Sequence, residues 1–197
     1  MVFSYENSFD FATIYNIKVM NEFLDLNALI RRKKISGWGR RDFVSSKLLN
    51  LGSSQEIVNL IKESQISSLI TRGLGRSYGD AAQLKDDFVL NISFSNRISL
   101  SGNQLTVGGG VSISKLLEVI VPLGYFLPVS PGSAQVTIGG AVAADVHGKN
   151  HHKDGSLGNH VSRILLIDGK GVIKEIKPKL QHSEAVSYTH LRAHETK

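Results

Sequence analysis

The sequence has no cysteine, only four prolines and one tryptophan, and no long apolar run. Without cysteine, a disulfide scaffold, a thiol nucleophile and a thiolate metal site are all excluded. No apolar run reaches the ~18–20 residues of a membrane span, and the N-terminal MVFSYENSFDF lacks the basic start and apolar stretch of a secretory signal. With 41% hydrophobic and 20% charged residues among 197, we expect a folded cytoplasmic protein with one core or a two-lobed one.

Positive charge is concentrated in one short run. The chain carries a net charge of +6, and residues 31–47 hold seven basic residues against one aspartate, so the rest is close to neutral. Few aromatic residues that could stack on a base are interleaved in this run, and we expect Trp38 to anchor a core or an edge instead. We therefore predict no nucleic-acid binding. We favour a solvated segment between elements. Two alternatives stay open for Arg31–Lys34: contact with anionic lipid, and a helix end whose dipole the cations complement.

Hydrophobic periodicity and turn residues together predict an α+β chain. Helices are predicted over 18–31, 53–64 and 112–123, the last with Ser112 as N-cap and Gly124 just past its end. Strands are predicted over 67–72 and 87–93, in a hairpin that turns at 101–103, and in two strands joined at 169–170. Gly108–Gly110 is expected to be a plain tight turn. Because hairpins and irregular loops join most strands, the pattern favours α+β over a doubly wound parallel sheet.

Sixteen of the 19 glycines fall between residues 73 and 171, where the backbone must approach something closely or turn sharply. The first cluster, RGLGRSYGD at 72–80, follows a predicted strand. Its glycines let main-chain N–H groups face an anion, and its arginines and serine add side-chain donors. It is neither a Walker A loop nor a Rossmann G-x-G-x-x-G, because Tyr78 stands where the third glycine would be. The cluster predicts a pyrophosphate site, with a plain surface turn as the alternative.

A second glycine-rich segment, PGSAQVTIGGAVAADVHGKNHH, spans residues 131–152. Gly132 and Gly139–Gly140 expose backbone, and the alanines that follow leave room for a bulky flat ligand. Thr137 can cap the short helix that it opens. A small-residue helix packed tightly in the core is an equally good interpretation.

Histidines cluster at the end of this segment. His147 and His151 are four residues apart, which suits a metal on a helix, but Gly148 and Asn150 argue against a continuous helix. No H-E-x-x-H glutamate is present either. We therefore predict no bound metal and favour polar lining of a ligand site for His147. An exposed basic loop explains the others equally well. The cluster consists of His147, His151, His152, His160, Asp145 and Asp154.

Together, RGLGRSYGDAAQ and PGSAQVTIGGAVAADVHGKNHHKDGSLGNH resemble the FAD-binding half of the vanillyl-alcohol-oxidase superfamily. There a two-lobed, p-cresol-methylhydroxylase-type α+β domain holds FAD between its lobes. The likeness runs from about Gly37 to about Lys177, and DVHGKNHH is its most specific part. We expect a helical N-terminal extension over 1–35 and an FAD-binding domain, incomplete at its C-terminus, over 36–185. VSYTHLRAHETK at 186–197 resembles a peptide appended to many unrelated sequences, so we expect a non-native tail.

The resemblance places FAD on two strips of the chain. The first would wrap the pyrophosphate, and the second would bring His147, the catalytic candidate, near the isoalloxazine and the substrate. Lys149 and Asn150 would lie at the substrate edge. Many relatives have a histidine covalently bonded to the flavin where this chain has Arg76, which implies non-covalent FAD and counts against sugar-lactone and alditol oxidases. The implied cofactor-binding residues are Arg72, Gly73, Leu74, Gly75, Arg76, Ser77, Tyr78, Gly79, Asp80, Ala81, Ala82, Gly132, Thr137, Ile138, Gly139, Gly140, Ala144, Asp145, Val146 and His147.

The implied activity is that of an FAD-dependent oxidoreductase acting on CH–OH groups. It would remove a hydride from a secondary alcohol carbon of a sugar, in the branch that oxidises polyprenylphosphoryl ribose for cell wall polysaccharide precursors. The hydride would pass to flavin N5 while a base takes the hydroxyl proton. The base would lie in a second half of the enzyme, so this fragment alone is expected to be inactive. The resemblance also implies an epimerising reductase as partner and peripheral membrane contact.

Two alternatives follow from the residues alone. One is a non-catalytic nucleotide- or phosphate-binding module, which shares the glycine loops and needs no second half. The other is a zinc-dependent hydrolase that uses His147, His151 and a carboxylate.

Overall fold

The computed structural model describes residues 29–63, 66, 68–92 and 97–177. Most of the helix predicted over 18–31 lies outside these residues, as does the expected tail over 186–197. At residues 30–31 that prediction is wrong, as is the expected helical character of the N-terminal extension over 30–35, because Ile30–Ile35 is a strand, β1. It pairs antiparallel with β2, Val44–Asn50, which the sequence pattern did not predict. Pairing with the next strand along the chain here overrides the local helical spacing.

The strand β1 changes the interpretation of the basic run. The four cations Arg31–Lys34 lie within β1 and are exposed. The expected segment between elements, and its alternative as a helix end, are therefore wrong for these four residues. β1 is the edge of its sheet, and a row of charged side chains on an edge strand disfavours pairing with another chain.

The first sheet has four strands in the order β1-β2-β4-β3. Its other strands are β3 (Leu69–Arg72) and β4 (Phe88–Asn91), and β2, β4 and β3 run parallel. Helix α1, Ser54–Glu63, provides the crossover from β2 that parallel strands require. Ser53 caps its start by accepting from Glu56 N–H (3.2 Å), and the Glu56 side chain accepts from Gly52 N–H (2.9 Å).

Two hydrophobic cores form around these elements. The first lies between α1 and the sheet and includes Leu49, Leu60 and Leu90. The second includes Leu105, Leu116 and Ile138. The elements of this second part are a hairpin, three helices with two short 3-10 turns, and a second hairpin. In chain order they are β5 (Ile98–Ser101), β6 (Gln104–Val107), α2 (Ile113–Ile120), the 3-10 turn Val121–Leu123, α3 (Ile138–Ala143), α4 (His151–Asp154), the 3-10 turn Leu157–His160, β7 (Ile164–Ile167) and β8 (Ile173–Ile176).

Several local predictions are confirmed in this second part. Both hairpins form with the predicted turns. Ser112 caps α2 by accepting a hydrogen bond from Lys115 N (3.1 Å). The following 3-10 turn ends at Gly124, whose φ is 82°. Within the described ranges, no helix is both long enough and apolar enough to span a membrane.

Candidate functional site

The first glycine cluster lies in the loop between β3 and β4. The Arg72 side chain stabilises this loop by hydrogen bonds to main-chain carbonyl groups. Its guanidinium donates to Ala82 O and to Ser36 O, both at 2.8 Å. Burial, together with the nearby Arg76 charge, lowers the pKa of Arg72. Gly75 lies against this guanidinium with a φ of 66°, and a Cβ there would overlap Arg72 Nη2. The loop therefore requires glycine at this position both for its backbone conformation and for space.

Arg76 joins the loop to two other segments. Its guanidinium lies 4.6 Å from the centroid of the Trp38 ring, and its Nε donates to Gln135 O at 3.2 Å. Trp38 N–H in turn donates to Ser77 O (2.9 Å). Trp38 is 48% exposed, so of its two expected roles, a core anchor or an edge anchor, the first is wrong. Its flat face is covered by a cation instead of by apolar side chains.

The two glycine-rich segments meet at Gly73 and Thr137. A Cβ on Gly73 would overlap Thr137 Oγ1 and lie 2.9 Å from Thr137 Cγ2. Thr137 is buried and caps α3, since its Oγ1 accepts from Gly140 N–H at 3.1 Å. The predicted cap is confirmed. The close approach of the two segments is a tertiary feature that the separate motifs could not show.

A third glycine run, Gly108–Gly110, supports the second segment. Gly139 N–H donates to Gly109 O, and Ile138 N–H donates to Val111 O, both at 2.8 Å. The expected tight turn forms, since Val111 N–H donates to Gly108 O (3.1 Å), and Gly109 O in addition holds the start of α3. Sequence reasoning missed this role, although three consecutive glycines directly before a helix cap were a usable signal.

The geometry of these segments fits an anionic cofactor with a flat ring. Within the described part of the chain, Ser77 Oγ is buried and has no hydrogen-bond partner, so a hydroxyl donor is available inside the loop. The adjoining residues Tyr78–Asp80 are exposed, as are Gly140 and Ala143–Ala144. A glycine-containing exposed loop beside a fixed guanidinium suits a pyrophosphate, and exposed small residues leave a surface for a ring.

The segment Asp145–His147 is held firmly against the 3-10 turn Leu157–His160. Asp145 has a left-handed φ of 43°, and its Oδ1 accepts from Gly158 N–H (3.0 Å). Leu157 N–H donates to Val146 O (2.8 Å), and His147 forms a β-bridge with Ser156. These contacts fix the backbone of His147, while its side chain remains exposed.

The other histidines of the cluster, all within the described residues, do not form a metal site with His147. Its ring centroid lies 5.2 Å from that of His151, but His151 begins the one-turn helix α4, so the two do not share a continuous helix, as expected. His160 Nε2 lies 2.8 Å from Asp154 O. No group of three or more His, Asp or Glu side chains in the described ranges could hold a metal ion.

Lys149 and Asn150 follow His147 directly and differ in their environment. Lys149 is exposed. Asn150 Nδ2 donates to Pro128 O (2.9 Å) and to Asp154 Oδ2 (2.7 Å). The Asn150 amide nitrogen therefore anchors this loop to the loop before α3, and only its Oδ1 could face a ligand.

Residues 49–177 match the family model of the FAD binding domain. The chain is also 40% identical over 152 residues to the decaprenylphosphoryl-beta-D-ribose oxidase of Mycolicibacterium smegmatis, a match that covers 74% of this chain and 33% of that protein. A second match is 44% identical over 63 residues to an uncharacterized protein in the mprA 5' region of Streptomyces coelicolor, covering 32% of this chain and 17% of that protein. The matched part of the chain thus spans about a third of the mycobacterial relative.

Proposed function

Because this chain belongs to the FAD binding domain family, we propose that it is the cofactor-binding part of an FAD-dependent oxidoreductase that oxidises a secondary alcohol of a lipid-linked sugar. The family match includes both glycine-rich strips. The substrate class is supported by the name of the mycobacterial relative, an oxidase of decaprenylphosphoryl ribose. The expected epimerising reductase partner, the membrane contact and the domain bounds of 36–185 stay predictions.

The observation that carries the proposal is the meeting of the two strips at Gly73 and Thr137. The first strip would bind the pyrophosphate through loop N–H groups, Ser77 Oγ and the Arg76 charge. The second would support the ring system on its exposed small residues, in a two-lobed domain built on the two cores. FAD, when bound, supplies two-electron redox chemistry by accepting a hydride.

We assign His147 the role of orienting the substrate. Its backbone is fixed by the Ser156 bridge, and no hydrogen bond to its ring is present within the described residues, so the ring is free to contact a substrate hydroxyl. Lys149 and the Oδ1 of Asn150 lie next along the chain and would line the substrate edge.

Arg76 determines that the cofactor is bound without a covalent bond. A guanidinium remains protonated and is a poor nucleophile, and this one is already held by Trp38 and Gln135 O. The purified chain should take up added FAD, and acid precipitation should release all of it into the supernatant. A yellow pellet would contradict the non-covalent assignment. A protein that takes up no FAD would contradict the proposed function.

The contribution of the loop between β3 and β4 to FAD binding can be tested with one pair of variants. Arg76→Gln removes the charge beside the proposed pyrophosphate site and should weaken FAD binding by at least about tenfold, equivalent to about 1.4 kcal/mol. Lys170→Gln lies in the exposed turn between β7 and β8 and should leave FAD affinity unchanged. Equal losses in both variants would show that overall charge, rather than the loop, governs binding.

A further inference from the structure

A cavity of about 310 Å³ lies on the β1 side of the loop that begins at Arg72. Its walls come from β1, from the turn after β1, from the start of the loop, and from single residues of β2 and β4. This volume is at the lower end of the ~300–1,000 Å³ of small-molecule sites. It suits a group about the size of a phosphorylated headgroup rather than a whole dinucleotide.

The lining of this cavity is strongly cationic. Five basic residues line it and no carboxylate does: Lys33, Lys34, Arg40, Arg72 and Arg76. The side chains of Lys33, Lys34 and Arg40 form no ion pair within the described part of the chain, whereas neighbouring Arg32 lies 3.7 Å from Asp86. Like charges gathered in one partly enclosed space repel each other, and an anion would relieve that repulsion.

The cavity is separate from the surface between the two glycine-rich strips. None of its lining residues comes from Gly132–His147, and none comes from the second half of the loop, Ser77–Ala82. Only Arg72–Arg76 is shared, and that stretch faces Thr137 and Gln135 on one side and the cavity on the other. A ligand here would contact β1, whose four consecutive cations the FAD family match over 49–177 does not include.

We propose that this cavity is a second anion site, which binds a phosphate group other than the pyrophosphate of FAD. The basic residues of the lining recognise the charge, except for Arg72, whose guanidinium is already bound to Ser36 O and Ala82 O. Trp38 and Phe43, which are 48% and 59% exposed and also line the cavity, provide an apolar rim. The same chemistry would recognise a free phosphate or the phosphate headgroup of a lipid. The proposal rests on the proposed function only for the assignment of the two strips to FAD.

Trp38 provides the test, because it is the only tryptophan in the sequence and it lines the cavity. The purified chain, with and without FAD, is titrated with inorganic phosphate. In separate titrations it receives vesicles of phosphatidylcholine alone, or vesicles of phosphatidylcholine that also contain phosphatidic acid. We expect a saturable change in Trp38 fluorescence. A response to phosphate alone identifies a free phosphate as sufficient, and a response only to the phosphatidic acid vesicles identifies a lipid headgroup.

Paired variants distinguish phosphate binding in this cavity from a general effect of surface charge and from FAD binding. Lys33→Gln/Lys34→Gln should weaken the response at least tenfold and leave FAD uptake, measured by flavin absorbance, unchanged. Lys115→Gln/Lys170→Gln removes two exposed lysines outside the cavity and should change neither. Thermal unfolding of each variant checks that it is folded.

Three results would overturn the proposal. These are no fluorescence response to either ligand, an equal loss in the control variant, or a loss of FAD affinity that parallels the loss of phosphate binding in Lys33→Gln/Lys34→Gln. The last result would assign the cavity to the cofactor. A chain that binds phosphate in the cavity but takes up no FAD would instead contradict the proposed function and leave the second site standing.

Discussion

Replacing Gly73 with alanine tests whether the two glycine-rich strips meet as described. The added Cβ would overlap Thr137 Oγ1 and would lie 2.9 Å from Thr137 Cγ2 and 3.2 Å from Thr137 Cβ. Thr137 is only 4% exposed, so it has little room to move. Gly73 does not have a positive φ, and the effect therefore comes from this overlap rather than from backbone strain.

The expected cost has two parts. Overpacking of a filled site costs about 1–3 kcal/mol. Displacing Thr137 also disturbs its cap on α3, the hydrogen bond from Gly140 N–H at 3.1 Å, and loss of a cap costs about 1 kcal/mol. Gly73→Ala should therefore lower the free energy of unfolding by about 2–4 kcal/mol. Each kcal/mol corresponds to a fall in Tm of about 2–4 °C for a chain of this size.

Urea unfolding of four proteins measures this effect: the parent, Gly73→Ala, Thr137→Ala and the double variant. Because Thr137→Ala removes both atoms nearest the new methyl group, Gly73→Ala should cost clearly less in that background, a coupling that the cycle isolates. Gly132→Ala is the matched control, since a Cβ there meets nothing within 4 Å. A cost of under about 0.5 kcal/mol for Gly73→Ala, or an equal cost in both backgrounds, would refute the reasoning.

Three further predictions concern stability. Ser112→Ala removes the hydroxyl that accepts from Lys115 N at 3.1 Å and should cost about 1 kcal/mol in urea unfolding; no change would show that the cap is dispensable. Leu116→Ala empties a fully buried position in the second core and should cost about 2–5 kcal/mol, with a smaller loss indicating a loosely packed core. The ion pair with Lys174 and the N–H groups of the turn lower the pKa of Asp168 to about 2, below its unfolded value of about 3.9. The ionised carboxylate therefore stabilises the fold fully above about pH 4, and this contribution is lost as the pH falls towards 2. Asp168→Asn should flatten the fall of Tm in that window, and an unchanged slope would contradict the assignment.

Local features of the fold were predictable because their determinants are adjacent in sequence. Ser112 and Gly124 bound α2 as the cap rules require, and the two hairpins turn where small and polar residues interrupt the apolar pattern. Strand β2 was not predictable in this way. Its main chain pairs with β1 on one side and with β4 on the other, and β4 follows only after α1 and β3.

The candidate site, too, could be predicted from the sequence only where its determinants are local. The residue types of its two strips and the identity of the cofactor could be predicted from the glycine motifs and the family resemblance. The role of Gly108–Gly110 was missed, because Gly109 O accepts a main-chain hydrogen bond from Gly139, a residue distant in sequence. The exposed indole of Trp38 under Arg76 was missed for the same reason, as a cation distant in sequence covers it.

The sequence by itself therefore determined the helix caps, the hairpin turns, the absence of thiol chemistry and the two strips that fit an FAD-binding domain. These depend on backbone preferences and side-chain chemistry within a few residues. Only the tertiary structure decided that Gly73 packs on Thr137, that Arg72 is turned inward to bind Ser36 O and Ala82 O, and that the basic run becomes an edge strand beside a cationic cavity. Each depends on long-range pairing and on space filling, which no local pattern encodes.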